Sequence, residues 1–146
     1  MQVSVKTFDE LSTTELYQIL RLRSEVFVVE QDCAYQDVDN KDQKAIHVLG
    51  IKEGEIVAYT RIFGPGDYFK NTSIGRVVVS KNQRKYGLGK EIMQASLVAI
   101  DQRFPNSAIE ISAQSYLLKF YTELGFTAFG DEYLEDGIPH RRMLKA

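Results

Sequence analysis

Between Ile74 and Met93 the chain passes from a β-branched strand through a basic, glycine-bearing loop into the start of a helix, and no other stretch leaves so few folding options. Ile74, Val77, Val78 and Val79 form a near-continuous β-branched run of strand length, which predicts a central strand covered on both faces. After it, Gly87 and Gly89 lack the Cβ atoms that would keep a ligand from the backbone, and Gly87 is free to take a positive φ. Leu88, Ile92, Ala95, Ala99 and Ile100 then recur at helical spacing. The free amides of that helix's first turn, and its dipole, face whatever the loop encloses, and a diphosphate fits that description. Arg84 and Lys85 add positive charge at the mouth, with Lys90 close behind. A solvated basic turn ahead of an ordinary amphipathic helix satisfies the pattern equally well. Neither G-x-x-x-x-G-K-[ST] nor G-x-G-x-x-G is present, which sets two nucleotide-binding loops aside.

The rest of the chain fits around this unit. Val3 and Val5 alternate with polar residues as a short strand, and Ser12, Thr13 or Thr14 caps a helix carrying Leu16, Ile19, Leu20, Val26 and Phe27. A polar, acidic stretch from Val29 to Lys44 reads as a structured loop. Ile46 to Ile51 and Ile56 to Phe63 pair as a hairpin, Ala108 to Ala113 is a further strand, and Leu117, Phe120, Tyr121 and Leu124 mark a short helix ended by Gly125. Phe126 to Tyr133 and Ile138 to Leu144 close the chain as a hairpin across Leu134 to Gly137. The order strand, glycine loop, helix, strand makes a right-handed crossover between parallel neighbours, while the remaining strands pair as hairpins. The expected fold is α/β (α+β), a mixed sheet of six or seven strands with helices on both faces, in a single domain over 1–146.

Charge and cysteine use remove several function classes. The formal net charge is −2 and the basic residues are dispersed, which argues against nucleic acid as the main partner. Cys33 is the only cysteine, so an internal disulfide and a cysteine-based zinc site are both excluded, and no metal is expected. No apolar run approaches the roughly 18 residues of a membrane span, and Met1 leads almost directly into an alternating segment without a secretion signal. No membrane partner and a cytoplasmic location are expected; a homodimer is left open.

The loop resembles the acyl-CoA signature of the GNAT superfamily of N-acetyltransferases, Q/R-x-x-G-x-G/A, here Arg84-Lys85-Tyr86-Gly87-Leu88-Gly89. Leu118 to Phe126 resembles that superfamily's second signature, FYxxLGF. The run Arg23 to Asp39 is similar to the R-x-x-V-F-V-V-E-Q-x-C-x-Y-x-D-x-D of the ElaA-type branch, as is Glu135 to His140. The resemblance implies the GNAT fold, acetyl-CoA as co-substrate, and a pyrophosphate held by the amides of Arg84 to Lys90. It also implies that the strand Val77, Val78, Val79 splays from its neighbour to receive the pantetheine, with Gln114 a candidate to bond it.

The implied reaction is direct transfer of an acetyl group to the primary amine of a small molecule or peptide. It needs a neutral amine, a polarised carbonyl and a proton for the departing thiolate. Backbone N–H groups of Val77 to Val79 are placed to polarise the carbonyl. The resemblance assigns the thiol proton to Tyr121, whose bland reading is a core aromatic. His140, His47 and Glu110 are alternative bases: the first two are the chain's only histidines, and the third alternates with apolar residues on an inner strand. Glu30, Asp37, Asp39, Glu135 and Asp136 lie on the two segments that flank the acceptor in the GNAT arrangement, so a cationic acceptor is expected, against the plain alternative of a solvated acidic face. Two other functions keep the same cradle: a non-catalytic acyl-CoA sensor, and an acyltransferase using a longer or charged acyl group.

Overall fold

The structure, a computed structural model, describes residues 1–146. The alternating N-terminal segment forms strand β1 (Gln2–Thr7), and Ser12 caps helix α1 (Thr13–Arg23). The Ser12 hydroxyl accepts from the Glu15 amide while the Glu15 carboxylate takes the Ser12 amide, a reciprocal box that fixes where the helix begins. The helix runs on through Ser24–Glu30 as a π-helical stretch, which buries Val26 and Phe27 and leaves Glu30 at its end. After the acidic loop come β2 (Ile46–Lys52), β3 (Glu55–Phe63) and β4 (Thr72–Val79). A 3-10 turn over Lys81–Tyr86 leads into α2 (Leu88–Arg103), followed by β5 (Ile109–Gln114), α3 (Leu118–Glu123), β6 (Thr127–Glu135) and β7 (Ile138–Lys145).

The seven strands form one mixed sheet in the order β1-β2-β3-β4-β5-β7-β6. Every neighbouring pair is antiparallel except β4 and β5, which α2 connects as a crossover. The β6–β7 turn is tighter than the sequence suggests. Leu134 and Glu135 stay in the strand, and only Asp136 (φ 51°) and Gly137 (φ 77°) turn, both in the left-handed region that a two-residue hairpin requires.

One face of the sheet packs Val48, Ala58, Ile62, Ile74, Ile111, Ala113 and Met143 against α2 and α3. The other packs Leu49, Tyr59 and Val78 against Ile19, Leu22, Val26 and Phe27. Helix α1 covers only part of this second face. The central strand is therefore not buried throughout: Gly75, Arg76 and Val77 are half-buried, because their surroundings open into a cleft.

Two irregularities shape that cleft. First, the register between β3 and β4 moves from Tyr59 opposite Val78 to Arg61 opposite Gly75, so Arg76 and Val77 together face Thr60. Such a bulge leaves its extra residue off the ladder and re-aims its side chains; Arg76 has φ 49°. Second, β4 and β5 pair only at Thr72–Ile109 and Ser73–Glu110. Beyond those pairs the strands splay, leaving facing backbone edges that no other strand satisfies.

Candidate active site

The splay opens a cleft of about 630 Å³ that runs through the sheet between the α2–α3 side and the α1 side. On the first side, Val77, Val79, Gly87, Gly89, Lys90, Leu117, Phe120 and Tyr121 line it. Gly87 has φ 69° and caps α2, an arrangement that L side chains resist. A Cβ at Gly89 would lie 3.6 Å from Phe120, in ordinary contact, so packing within the protein does not demand glycine there. What the missing Cβ leaves open is cleft. The first amides of α2 have no partner within the helix, so donors, dipole and space converge where a diphosphate would bind.

Tyr121 is 6% exposed, packs edge-on against Phe120 and Phe126, and reaches the cleft. Burial pushes its phenol well above the ordinary value, with no internal hydrogen bond opposing this. His140 also lines the cleft, from β7. Its Nδ1 lies 2.7 Å from the Ile138 carbonyl oxygen, which fixes Nδ1 as the donor, and its Nε2 faces the Glu135 carboxylate at 3.3 Å. Gln114, in register with His140, meets Gln31 in a loose amide pair at 3.4 to 3.5 Å. A glycine loop at a helix start, a slot between splayed strands, a tyrosine and a histidine thus share one cleft.

The Acetyltransferase (GNAT) domain model matches residues 9–146. The chain belongs to the GNAT family. Protein ElaA of Escherichia coli is 41% identical over 138 residues, 93% of this chain and 90% of that protein. A UPF0039 protein of Schizosaccharomyces pombe is 43% identical over 140 residues, 94% of this chain and 92% of that one. Crystal structures of an acyl-CoA N-acyltransferase from Pseudomonas aeruginosa (TM-score 0.95, 38% identity) and of E. coli ElaA (0.94, 37%) superpose over the full length of both chains. This is a GNAT acyltransferase of the ElaA branch, and the mixed-sheet fold read from sequence is that of the family.

Within this GNAT cleft the expected residues divide. Tyr121, His140, Val77, Val78, Val79, Gly87, Gly89, Lys90, Gln114, Glu135 and Asp136 line it, and so do Arg84 and Glu30. Those last two bind each other. Both Nη atoms of Arg84 donate to the Glu30 carboxylate, at 2.5 and 2.7 Å, and its Nε donates to the Val79 carbonyl at 3.1 Å. Lys85 and Tyr86 are exposed and do not line the cleft, Tyr86 carrying the Lys52 ammonium 4.6 Å from its ring centre, and Leu88 is core.

His47 lies outside the cleft, fully buried, its Nδ1 2.5 Å from the Tyr59 hydroxyl and its Nε2 2.9 Å from the Asp42 carbonyl. Burial lowers its pKa, and neither nitrogen is free to take a substrate proton. Glu110 is also outside, its carboxylate taken by Arg142.

The largest departure from the sequence reading is the acidic loop. Asp37 accepts from Arg23 at 2.9 Å, from Arg76 at 2.8 Å and from the Tyr35 hydroxyl at 2.9 Å. Asp39 takes both Nη atoms of Arg61 at 2.9 Å, and Asp42 bridges Arg23 and Arg61. For Asp39, burial would raise the carboxyl, but the Arg61 bonds with the charges of Arg61 and Arg76 outweigh it and hold the group at about 2. Asp37 and Asp39 are therefore neutralised structural groups and no ammonium trap.

Sequence reasoning passed over Arg61 and Arg76, both of which line the cleft. Their signal was a lone charge inside an apolar strand, which burial obliges to find a partner. It also passed over the aromatic cluster Phe63, Tyr68 and Phe69 at the cleft's other end. Cys33 is accounted for without chemistry: its thiol donates to the Asp136 carbonyl at 3.2 Å, clipping the loop to the last hairpin.

Proposed function

We propose that this acyltransferase moves an acetyl group from acetyl-CoA to a primary amine by direct attack on the thioester. The observation that carries the reading is the continuity of one cleft from the Gly87–Lys90 cradle, between β4 and β5, to His140. The first-turn amides of α2 hold the diphosphate, and the open edges of β4 and β5 accept the polar groups of the pantetheine arm. Ile74, Ile111, Phe120 and Tyr121 wall the slot with bulky side chains, which favours a short acyl group. An N–H released from the ladder at the Arg76–Val77 bulge polarises the carbonyl.

His140 is the base. With its Nδ1–H committed to the Ile138 carbonyl, the Nε2 lone pair receives the amine proton and Glu135 steadies the resulting imidazolium. Tyr121 faces the departing sulfur. Burial keeps its phenol neutral, so it offers a hydrogen bond while the thiolate forms and a proton as the charge develops.

Release of CoA thiol from acetyl-CoA, measured across primary amines, tests the reading. Release should depend on an amine and fall about 10²- to 10⁴-fold in His140→Gln with acetyl-CoA affinity retained. Acetyl-CoA that binds but is never turned over by any amine would favour a binding module instead. Competition by longer acyl-CoA donors tests the acetyl preference.

A further inference from the structure

The end of the cleft on the α1 side is aromatic and matched in charge. Phe63 and Tyr68 stack with centroids 5.1 Å apart at 17°, and Phe69 meets Tyr68 edge-on at 4.8 Å. All three line the cleft. The charges against them already face carboxylates: Arg61, 4.9 Å from the Phe63 centroid, pairs through both Nη atoms with Asp39 and through one with Asp42, its Nε left without a partner, and Arg142, 5.1 Å from the Phe69 centroid, pairs with Glu110. A further cation on those rings would sit beside guanidinium groups, which disfavours a polyamine. An anion would find each guanidinium already facing a carboxylate. What remains is neutral ring surface on Tyr68, 42% exposed, and on half-buried Phe69, with buried Phe63 backing Tyr68, suited to stacking or edge contact with another flat ring.

The sheet register sets the reach. On the same face as the rings, Ser73 is opposite Phe63 and Glu110, and Gln114, further along β5, is opposite His140. Along the strands, four residues, about 13 Å at ~3.3 Å per residue, separate the row of Phe63 from that of His140, while Phe69 reaches across to Arg142, two residues beyond His140 on β7 and 5.1 Å from its ring. A ring resting on the shelf spans part of that distance, and a short alkyl spacer brings an amino group to His140.

Resting on the amine-acetylation reading above, we propose that the acceptor is an arylalkyl primary amine, its ring on the Tyr68–Phe69 shelf that Phe63 backs and its nitrogen beside His140. The step balances as an aminolysis: the C–N bond forms, the C–S bond breaks with its electrons on sulfur, and the proton lost by the amine is matched by the one gained by the thiol.

The experiment compares phenethylamine, phenylpropylamine and tyramine with hexylamine, glucosamine and spermidine as acceptors, and measures binding of each amine to the CoA-saturated protein by calorimetry. Arylalkylamines should exceed the others in kcat/KM by at least about tenfold, and Tyr68→Ala or Phe69→Ala should remove that advantage by lowering kcat/KM for arylalkylamines far more than for hexylamine, with the KM for acetyl-CoA retained. A best acceptor that is a polyamine or amino sugar, or an aryl preference that survives both variants, overturns the proposal. If no amine releases CoA, binding decides. Arylalkylamines that bind in a Tyr68-dependent way uphold the shelf while the transfer reading fails, and arylalkylamines that bind no better than hexylamine overturn the shelf.

Discussion

Glu30 and Arg84 face one another across the mouth of the cleft in a two-pronged ion pair, which ties the end of the π-helical stretch to the loop before α2. Bonding to Arg84 lowers the Glu30 carboxyl, and the same bonds raise the guanidinium. In the free protein the best-placed cation for a diphosphate thus carries an anion of its own. Glu30→Gln should therefore tighten acetyl-CoA binding about three- to tenfold at low ionic strength, and less at high salt. Titration calorimetry at two salt concentrations checks this; weaker binding would show that Glu30 serves to orient Arg84. The pair is partly exposed, so little stability should be lost.

The two glycines of the cradle separate strain from access. Gly87→Val forces a β-branched residue to φ 69° and should cost about 1–3 kcal/mol while abolishing acetyl-CoA binding. Gly89→Ala meets no clash and should leave the melting temperature unchanged or higher, yet lower acetyl-CoA affinity, because its methyl enters the cleft. Unaltered affinity in Gly89→Ala would place the diphosphate elsewhere.

Tyr121→Phe removes a hydroxyl that no protein group uses, so packing should survive. Turnover should drop about 10²-fold or more with acetyl-CoA affinity nearly unchanged. Equal activity in the variant would reduce Tyr121 to a core aromatic.

Replacing Asp37 and Asp39 by asparagine should act on stability and leave acceptor KM and its salt dependence alone. Arg23 is fully buried and would lose a charged partner, a class of change that costs about 3–5 kcal/mol. Urea unfolding gives the cost; a folded, fully stable variant with a raised KM would restore the ammonium-trap reading.

Three groups, buried His47 and Asp42 and half-buried Asp39, titrate in one direction on acidification. Burial lowers His47 from 6.5. Asp39 sits at about 2 and Asp42 is also lowered, the arginine bonds in each case outweighing burial. Each folded value lies below the unfolded one, so the stability these groups provide is complete above the unfolded value and is lost as pH falls through the folded one. Unfolding free energy should begin to decline below about pH 6.5 and fall more steeply below about pH 4, with Asp39 alone contributing on the order of 2 kcal/mol. His47→Gln should flatten the first part of that decline.

Local spacing made the strand, glycine loop and helix start legible, since they state their geometry within twenty residues, while Tyr121 was singled out by the resemblance and not by its spacing, which reads equally as core. The acidic loop was misread because its partners are distant in sequence, Arg61 lying 22 residues and Arg76 37 residues beyond Asp39. A carboxylate-rich segment looks the same on paper whether it faces water or arginines. Arg61 within Ala58 to Phe63 and Arg76 within Ile74 to Val79 were the visible clues, since a charge in an apolar strand must be met from somewhere. His47 was misplaced for a related reason, because its pKa near neutrality says nothing of whether its nitrogens are already engaged.

With only Thr72–Ile109 and Ser73–Glu110 joining β4 to β5, the sheet consists of two blades, β1 to β4 and β5 to β7, hinged at one end. Each blade exposes an internal edge, a row of backbone donors and acceptors of the kind most proteins keep at their periphery and guard. On the proposed reading, a donor molecule in the cleft replaces the missing rungs, so cargo and mechanical stiffness become one variable. On the acetyl-CoA reading the loaded protein should be the stiffer one, its β4 and β5 amides exchanging with solvent more slowly than in the free protein.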